Sequence, residues 1–153
     1  YYLMVKSIAQ GFDFSVGYRR QLLTFVYVKD LASAVFDALE SGVRRKSYLL
    51  TDGKTYTQSE FRSIVKHLLG KRFVVPVKAP LWIVGIVCAI AERIAAAKGK
   101  ASTLNRDKYK ILRQRNWTCD ITPAVNDFGY HPRYDLRQGL EETIRWYRDN
   151  GWL

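Results

Sequence analysis

Acidic residues are scarce in this chain: 14 Asp and Glu stand against 25 Lys and Arg in 153 residues, a formal net charge of +11 at pH 7. The two cysteines, Cys88 in an apolar run and Cys119 in an expected strand, have no metal-ligand or redox spacing. Both read as buried thiols of a reducing compartment, and no metal site is expected. Of the two histidines, His67 falls on the polar side of an expected helix and reads as a surface residue. No apolar run reaches the roughly 20 residues that a bilayer-spanning helix needs. No signal-peptide-like stretch opens the chain, and a start at Tyr1 rather than Met is what a piece of a longer, cytoplasmic protein would show.

Hydrophobic residues make up 48% of the chain, which argues for a globular fold with a sizeable core rather than disorder. The excess of positive charge is concentrated between Lys98 and Arg115, where Lys98, Lys100, Arg106, Lys108, Lys110, Arg113 and Arg115 meet one acid, Asp107. This run reads as a solvated helix face. No nucleic-acid-binding motif accompanies it, so nucleic acid is not an expected partner.

Periodicity predicts a helix over residues 2–11 with Met4, Val5 and Ile8 as its apolar positions. Phe12, Phe14 and Val16 then alternate with Asp13 and Ser15, predicting a strand that turns back into a second one over residues 22–28. Asp30 is placed to cap a helix whose apolar positions are Leu31, Ala34, Val35, Ala38 and Leu39. A strand over residues 47–50, a helix opened by the Thr57/Glu60 capping box and a strand over residues 73–77 together predict a right-handed parallel crossover. Residues 103–114 read as an amphipathic helix and residues 117–120 as a short strand. A brief helix follows, capped by Thr122, with Pro123 first and Gly129 closing it. Asp135 and Gln138 have capping-box spacing for the last helix, with Leu136, Leu140, Ile144 and Tyr147 inward.

Two blocks carry a resemblance. Phe25-Val26-Tyr27-Val28-Lys29-Asp30-Leu31-Ala32-like wording, a strand running into a helix through Val-x-Asp, occurs near the start, and Phe128-Gly129-Tyr130-His131-Pro132 followed by Gly139-Leu140-Glu141-Glu142-Thr143-Ile144-Arg145-Trp146-Tyr147 closes the chain. With Tyr48 to Gly53 and Tyr56 to Phe61 between them, they resemble the C-terminal part of the extended short-chain dehydrogenases/reductases, the NAD-dependent epimerase/dehydratase family. The resemblance implies an α/β chain, helix-rich with a small parallel or mixed sheet, forming the substrate-binding portion (residues 1–153) of a Rossmann-type enzyme. The family's Gly-x-x-Gly-x-x-Gly turn and its Tyr-x-x-x-Lys pair match nothing here. Tyr2 and Lys6 share the spacing by coincidence on the first helix. No catalytic or cofactor-binding residue is therefore expected in this chain, which alone should be inactive, and NAD or NADP belongs to the full-length protein.

Where the family's nucleotide-sugar enzymes place arginines on the diphosphate, this chain has Leu23 and the Ala79-Pro80-Leu81-Trp82 run, with Arg19, Arg20 or Lys78 nearby. These departures resemble the 3β-hydroxysteroid dehydrogenase and dihydroflavonol reductase branch. Met4, Phe14, Val16, Leu23, Lys78 and Trp82 are accordingly expected to line a pocket for the secondary alcohol or ketone of a largely apolar small molecule. A nucleotide-sugar epimerase or dehydratase is the alternative, and a non-catalytic interaction module a second one. The segment Leu81–Ala97 is expected as a buried helix, with peripheral membrane contact or a partner surface as its sharper readings, and a homo-oligomer is expected.

Overall fold

The computed structural model describes residues 1–17, 19–97 and 106–153, which fold as two compact units. The first unit, Tyr1–Gln21 with Lys71–Arg115, contains α1 (Tyr2–Ala9), β1 (Phe12–Val16), β4 (Val75–Ala79), α4 (Leu81–Ala97) and α5 (Arg106–Arg113). The second, Leu22–Gly70 with Asn116–Leu153, contains β2 (Leu22–Leu23), α2 (Val28–Glu40), β3 (Tyr56–Thr57), α3 (Gln58–Leu68), α6 (Thr122–Phe128) and α7 (Leu136–Asp149). This is the helix-rich α/β class that the sequence implies.

In the first unit β1 and β4 pair in parallel, from Phe12 opposite Val75 to Val16 opposite Ala79. The two strands are adjacent in space, yet β2, α2, β3 and α3 intervene in the chain. The alternation of β1 is as expected, but its sense is reversed. Asp13 and Ser15 are buried, while Phe12 and Phe14 are 45% and 51% exposed. The covered side of the ladder is the polar one, and α1 packs on β1 with Val5 and Ile8 fully buried. Cys88 on α4 is buried as expected, and α4 meets α5 where Gly85 approaches the Tyr109 ring so closely that a Cβ would stand 3.3 Å from Cε2.

The second unit is built around Ala34, Ala124 and Tyr130, with Tyr48, Leu50, Ile121 and Phe128 packed against them. Two reciprocal capping boxes, Thr57/Glu60 on α3 and Asp135/Gln138 on α7, start their helices at the expected residues. α3 then sets Phe61 and Val65 inward, and α7 sets Leu136, Leu140 and Ile144 inward. α6 ends on Gly129 at φ 70, the left-handed closure that favours glycine. Thr122 is the first helical residue rather than its cap, and its N–H donates to Asp120.

Several expected strands are not formed. The hairpin of residues 12–16 with 22–28 is absent, because β2 is two residues long and pairs antiparallel with β3. The strand expected over residues 47–50 is irregular backbone, so its parallel pairing with residues 73–77 does not occur. Tyr48 and Leu50 are held by side-chain packing instead, and Leu49 is 61% exposed. Residues 117–120 form no strand either: Asn116 makes an isolated parallel bridge to Leu22, and Trp117 N donates to the Leu22 carbonyl. On α2 the inward side is the small one, Ala34, while Leu31, Val35 and Leu39 are exposed. Of the expected helix over 103–114, residues 103–105 lie outside the described residues.

Candidate functional site

Among the described residues, a cleft that could hold a ligand lies at the end of β1, wholly within the first unit. Gly17 has φ +76, donates its N–H to the Ala79 carbonyl at 2.9 Å, and would place a Cβ 3.3 Å from Leu81 Cγ. Both the left-handed backbone and the close approach require glycine here. The chain then runs through Arg19 and Arg20 to Gln21, whose side-chain amide donates to the Gln114 carbonyl just past α5. That link brings Arg19 and Arg20 to the same cleft as Arg113 and Arg115. The cleft has a volume of about 320 Å³, with Val16 and Leu81 as its apolar lining.

Four arginines are among the residues that line this cleft, and no Asp or Glu is among them. Arginine stays charged at all physiological pH values, and its planar fork of donors matches the oxygens of carboxylate or phosphate groups. Like charges gathered around one cavity repel each other until an anion enters, so the arrangement selects a ligand with several anionic oxygens. A cleft of this size lies at the small end of ligand pockets, which run from about 300 Å³ upward.

Only one of the six expected lining residues, Val16, is part of the cleft. Met4 is half-buried on α1, Lys78 is exposed on β4, Trp82 is 66% exposed on α4, and Phe14 is exposed on the uncovered side of β1. Leu23 is 7% exposed and pairs with Tyr56 in the second unit, so it is core rather than pocket wall. Arg113 and Arg115, read from sequence as part of a solvated face, are the residues missed. Their link to Arg19 and Arg20 spans 93 positions at Gln21 and Gln114, and no local spacing announces it.

Asp30, the acid of the Val-x-Asp motif, is likewise no helix cap. α2 begins two residues earlier, and the buried Asp30 carboxylate accepts the backbone N–H groups of Arg133 and Tyr134, both at 3.0 Å. The motif therefore joins the two blocks by fastening the residues after Gly-Tyr-His-Pro to the start of α2. Beside it, Glu142 accepts from Lys29 at 2.6 Å and from the Tyr27 hydroxyl at 2.7 Å. The Lys29 and Tyr27 hydrogen bonds hold the Glu142 carboxyl below its ordinary range, while burial and then the Glu142 hydrogen bond push Tyr27 up to about 12. These are fastenings.

A second depression, of about 360 Å³, lies between α3 and α7, where Arg145 and Arg148 are matched by Glu141 and Asp149. Its charges cancel internally, so it selects no ion. Tyr2 and Lys6 share a face of α1, with Lys6 Nζ donating to the Tyr2 hydroxyl at 3.3 Å on an exposed surface. Among the described residues no group of His, Cys, Asp or Glu is placed to hold a metal ion. The glycines at positive φ stand singly at separate turns, at positions 11, 17, 42, 53, 70, 129 and 151. That pattern does not fit the clustered glycine turn on which a dinucleotide pyrophosphate sits.

No family model matches the chain. It is 26% identical over 152 residues to the uncharacterized protein y4nL of Sinorhizobium fredii, covering 97% of this chain and 43% of that protein. It is 27% identical over 157 residues to UDP-glucuronate 4-epimerase 6 of Arabidopsis thaliana, covering 96% of this chain and 30% of the relative. The fold matches the dTDP-glucose 4,6-dehydratase DesIV of Streptomyces venezuelae, solved with NAD and TYD bound, with a TM-score of 0.69 at 20% identity over 98% of this chain and 38% of that one. Other solved structures of the same fold are UDP-sugar 4-epimerases, one with UDP-glucose and one with NAD. The chain thus spans less than half the length of these relatives and fold neighbours, and the solved structures that it matches include NAD-bound epimerases and dehydratases.

Proposed function

We propose that this chain is the substrate-binding portion of an NAD-dependent nucleotide-sugar epimerase or dehydratase, and that its arginine cleft holds the substrate's diphosphate. The single observation that carries this reading is the convergence of Arg19, Arg20, Arg113 and Arg115 on one cavity without a carboxylate. The alternative read from sequence is thereby preferred to an apolar, steroid-like substrate. The named relatives and fold neighbours that act on nucleotide sugars point the same way.

Within this reading, paired N–H groups of the arginines would donate to the diphosphate oxygens, and Gly17 would allow the chain to bend close to Leu81 so that the two basic segments converge. Hydride chemistry is supplied by the bound dinucleotide, which residues outside this chain must hold. The test is calorimetric titration of the full-length protein with UDP and dTDP. Binding of either nucleotide, weakened at least about tenfold by Arg113→Ala with Arg115→Ala, is expected, since each charged hydrogen bond contributes about 1.5–3 kcal/mol. Binding of a hydroxysteroid with none of either nucleotide would overturn the proposal.

A further inference from the structure

We propose that α4 seats this protein on an anionic membrane surface, with its exposed apolar stripe in the headgroup region and the basic charge of its unit holding it there. None of the six exposed α4 residues named below lines the cleft, and the inference does not rest on the proposed substrate.

α4 is the most apolar helix in the chain, and it buries only part of that character. Cys88 is buried and Leu81, Val84 and Gly85 are half-buried, while Trp82, Ile83, Ile86, Val87, Ile90 and Ile94 are 39–66% exposed. Those six positions recur at helical spacing on one side, with no charge among them. At 17 residues the helix is about 25 Å long. No described helix is long and apolar enough to cross a membrane, so a stripe of this kind would lie along a surface rather than through it. The exposed Arg93 follows Ile90 by three residues, where its stem can lie on the stripe and its guanidinium reach outward. Trp82 at the other end is the side chain best suited to a boundary that is apolar on one side and wet on the other.

The charge of the surrounding unit selects the occupant. Tyr1–Gln21 and Lys71–Arg115 together contain fourteen Lys and Arg and three acids, Asp13, Glu92 and Asp107, whereas the other unit contains eleven of each sign. The entire formal charge of +11 therefore belongs to the unit that carries α4. A second copy docking through the same face would bring two such charges together, which opposes it. Nucleic acid would answer the charge, but it offers nothing to a row of isoleucines. An anionic lipid surface answers both, with acyl chains for the stripe and headgroups for the cations.

α2 supplies the internal control. It too exposes an apolar side, with Leu31, Val35, Phe36 and Leu39 at 41–74% exposure, but in the unit whose charges balance. Apolar exposure without basic charge is not expected to hold a protein on a membrane at physiological salt.

The experiment is co-sedimentation of the full-length protein with vesicles of phosphatidylcholine, with and without phosphatidylserine. Retention on the anionic vesicles, at least about tenfold weaker on neutral ones and weakened by salt, is expected. Ile86→Asp with Ile90→Asp should reduce retention by about tenfold or more, because both positions leave the apolar phase. Neither residue lines the cleft, so nucleotide binding should be unchanged, and circular dichroism melting establishes that the variant folds. Val35→Asp with Leu39→Asp should leave retention as it was. Brominated acyl chains should quench tryptophan fluorescence, and Trp82→Ser should abolish the quenching. Equal retention on both vesicles, no retention on either, or retention untouched by the α4 substitutions would overturn the proposal. Loss of vesicle binding to competing RNA would instead assign the charge to nucleic acid and overturn it, as would self-association that the α4 substitutions abolish.

Discussion

The two units of this chain meet water in opposite ways. The unit around α7 neutralises itself: its bases and acids are equal in number, Lys29 pairs with Glu142, Lys46 with Asp127 and Lys54 with Asp135, and Tyr27 and Tyr48 share the first two of those carboxylates. The unit around α4 gathers positive charge, opens an arginine cleft at one place and an apolar stripe at another. A self-neutralised surface leaves little for a ligand to add, whereas an unbalanced one is improved by an anion. On the proposed reading function belongs to the first unit and fastening to the second, and substitutions in each can break that division.

The largest effect expected is from Leu23→Arg. If Leu23 lined a substrate pocket, an arginine there would change ligand preference with little change in stability. Because Leu23 is 7% exposed in the second unit, the substitution should instead bury an unpaired charge and cost about 3–5 kcal/mol in chemical denaturation. An unaltered midpoint with altered nucleotide affinity would return Leu23 to the pocket. Asp30→Ala comes next. It leaves the Arg133 and Tyr134 N–H groups without the buried carboxylate, at about 2–4 kcal/mol, while UDP affinity per folded molecule should not change.

Asp30 also shows what could be read in the sequence and what could not. The Val-x-Asp block and the Gly-Tyr-His-Pro block were each visible, as were both capping boxes and the Gly129 stop, because these signals are local. That the two blocks are tied through Asp30 is a contact across 103 positions, and position 30 following a short strand looked like an N-cap. Alternation in β1 was visible too, but not which side of the strand is covered. That sense is set by the elements that pack on it, so Phe14 was expected inward and stands outward. The cleft was half visible: Arg19 and Arg20 were noted as nearby cations, while Arg113 and Arg115 merged into a basic run whose orientation only the fold decides.

Gly17→Ala should separate the units from the other side. Its φ of +76 and the 3.3 Å approach to Leu81 make alanine strained, at about 1–3 kcal/mol. The cost should fall on the first unit, lowering hydrogen-exchange protection in α1 and α4 and weakening UDP binding, with protection in α7 retained. Uniform loss of protection in both units would mean that they unfold together and that function and fastening are not separable in this way.

The smallest effects should appear in the response to pH, and they belong to the second unit. The Lys46 hydrogen bond, followed by that of Tyr48, holds the Asp127 carboxyl below its ordinary 3.8, as Lys29 and then Tyr27 hold Glu142 below 4.5. A carboxyl depressed on folding contributes stability that is present above its unfolded value and lost as pH falls through the folded one, so an acid limb should begin below about 4.5. Tyr27, Tyr48 and Tyr130 behave in the opposite sense. Burial first, and for Tyr27 and Tyr48 also the carboxylate hydrogen bond, pushes each from 10.0 up to about 12. Their contribution is complete below 10 and is lost as pH rises toward 12. Thermal unfolding followed against pH should therefore show an alkaline decline that Tyr27→Phe with Tyr48→Phe makes shallower, while Arg19→Ala leaves it in place. Those two phenylalanines should also shorten the acid limb, because Glu142 and Asp127 each lose one of the hydrogen bonds that depress them.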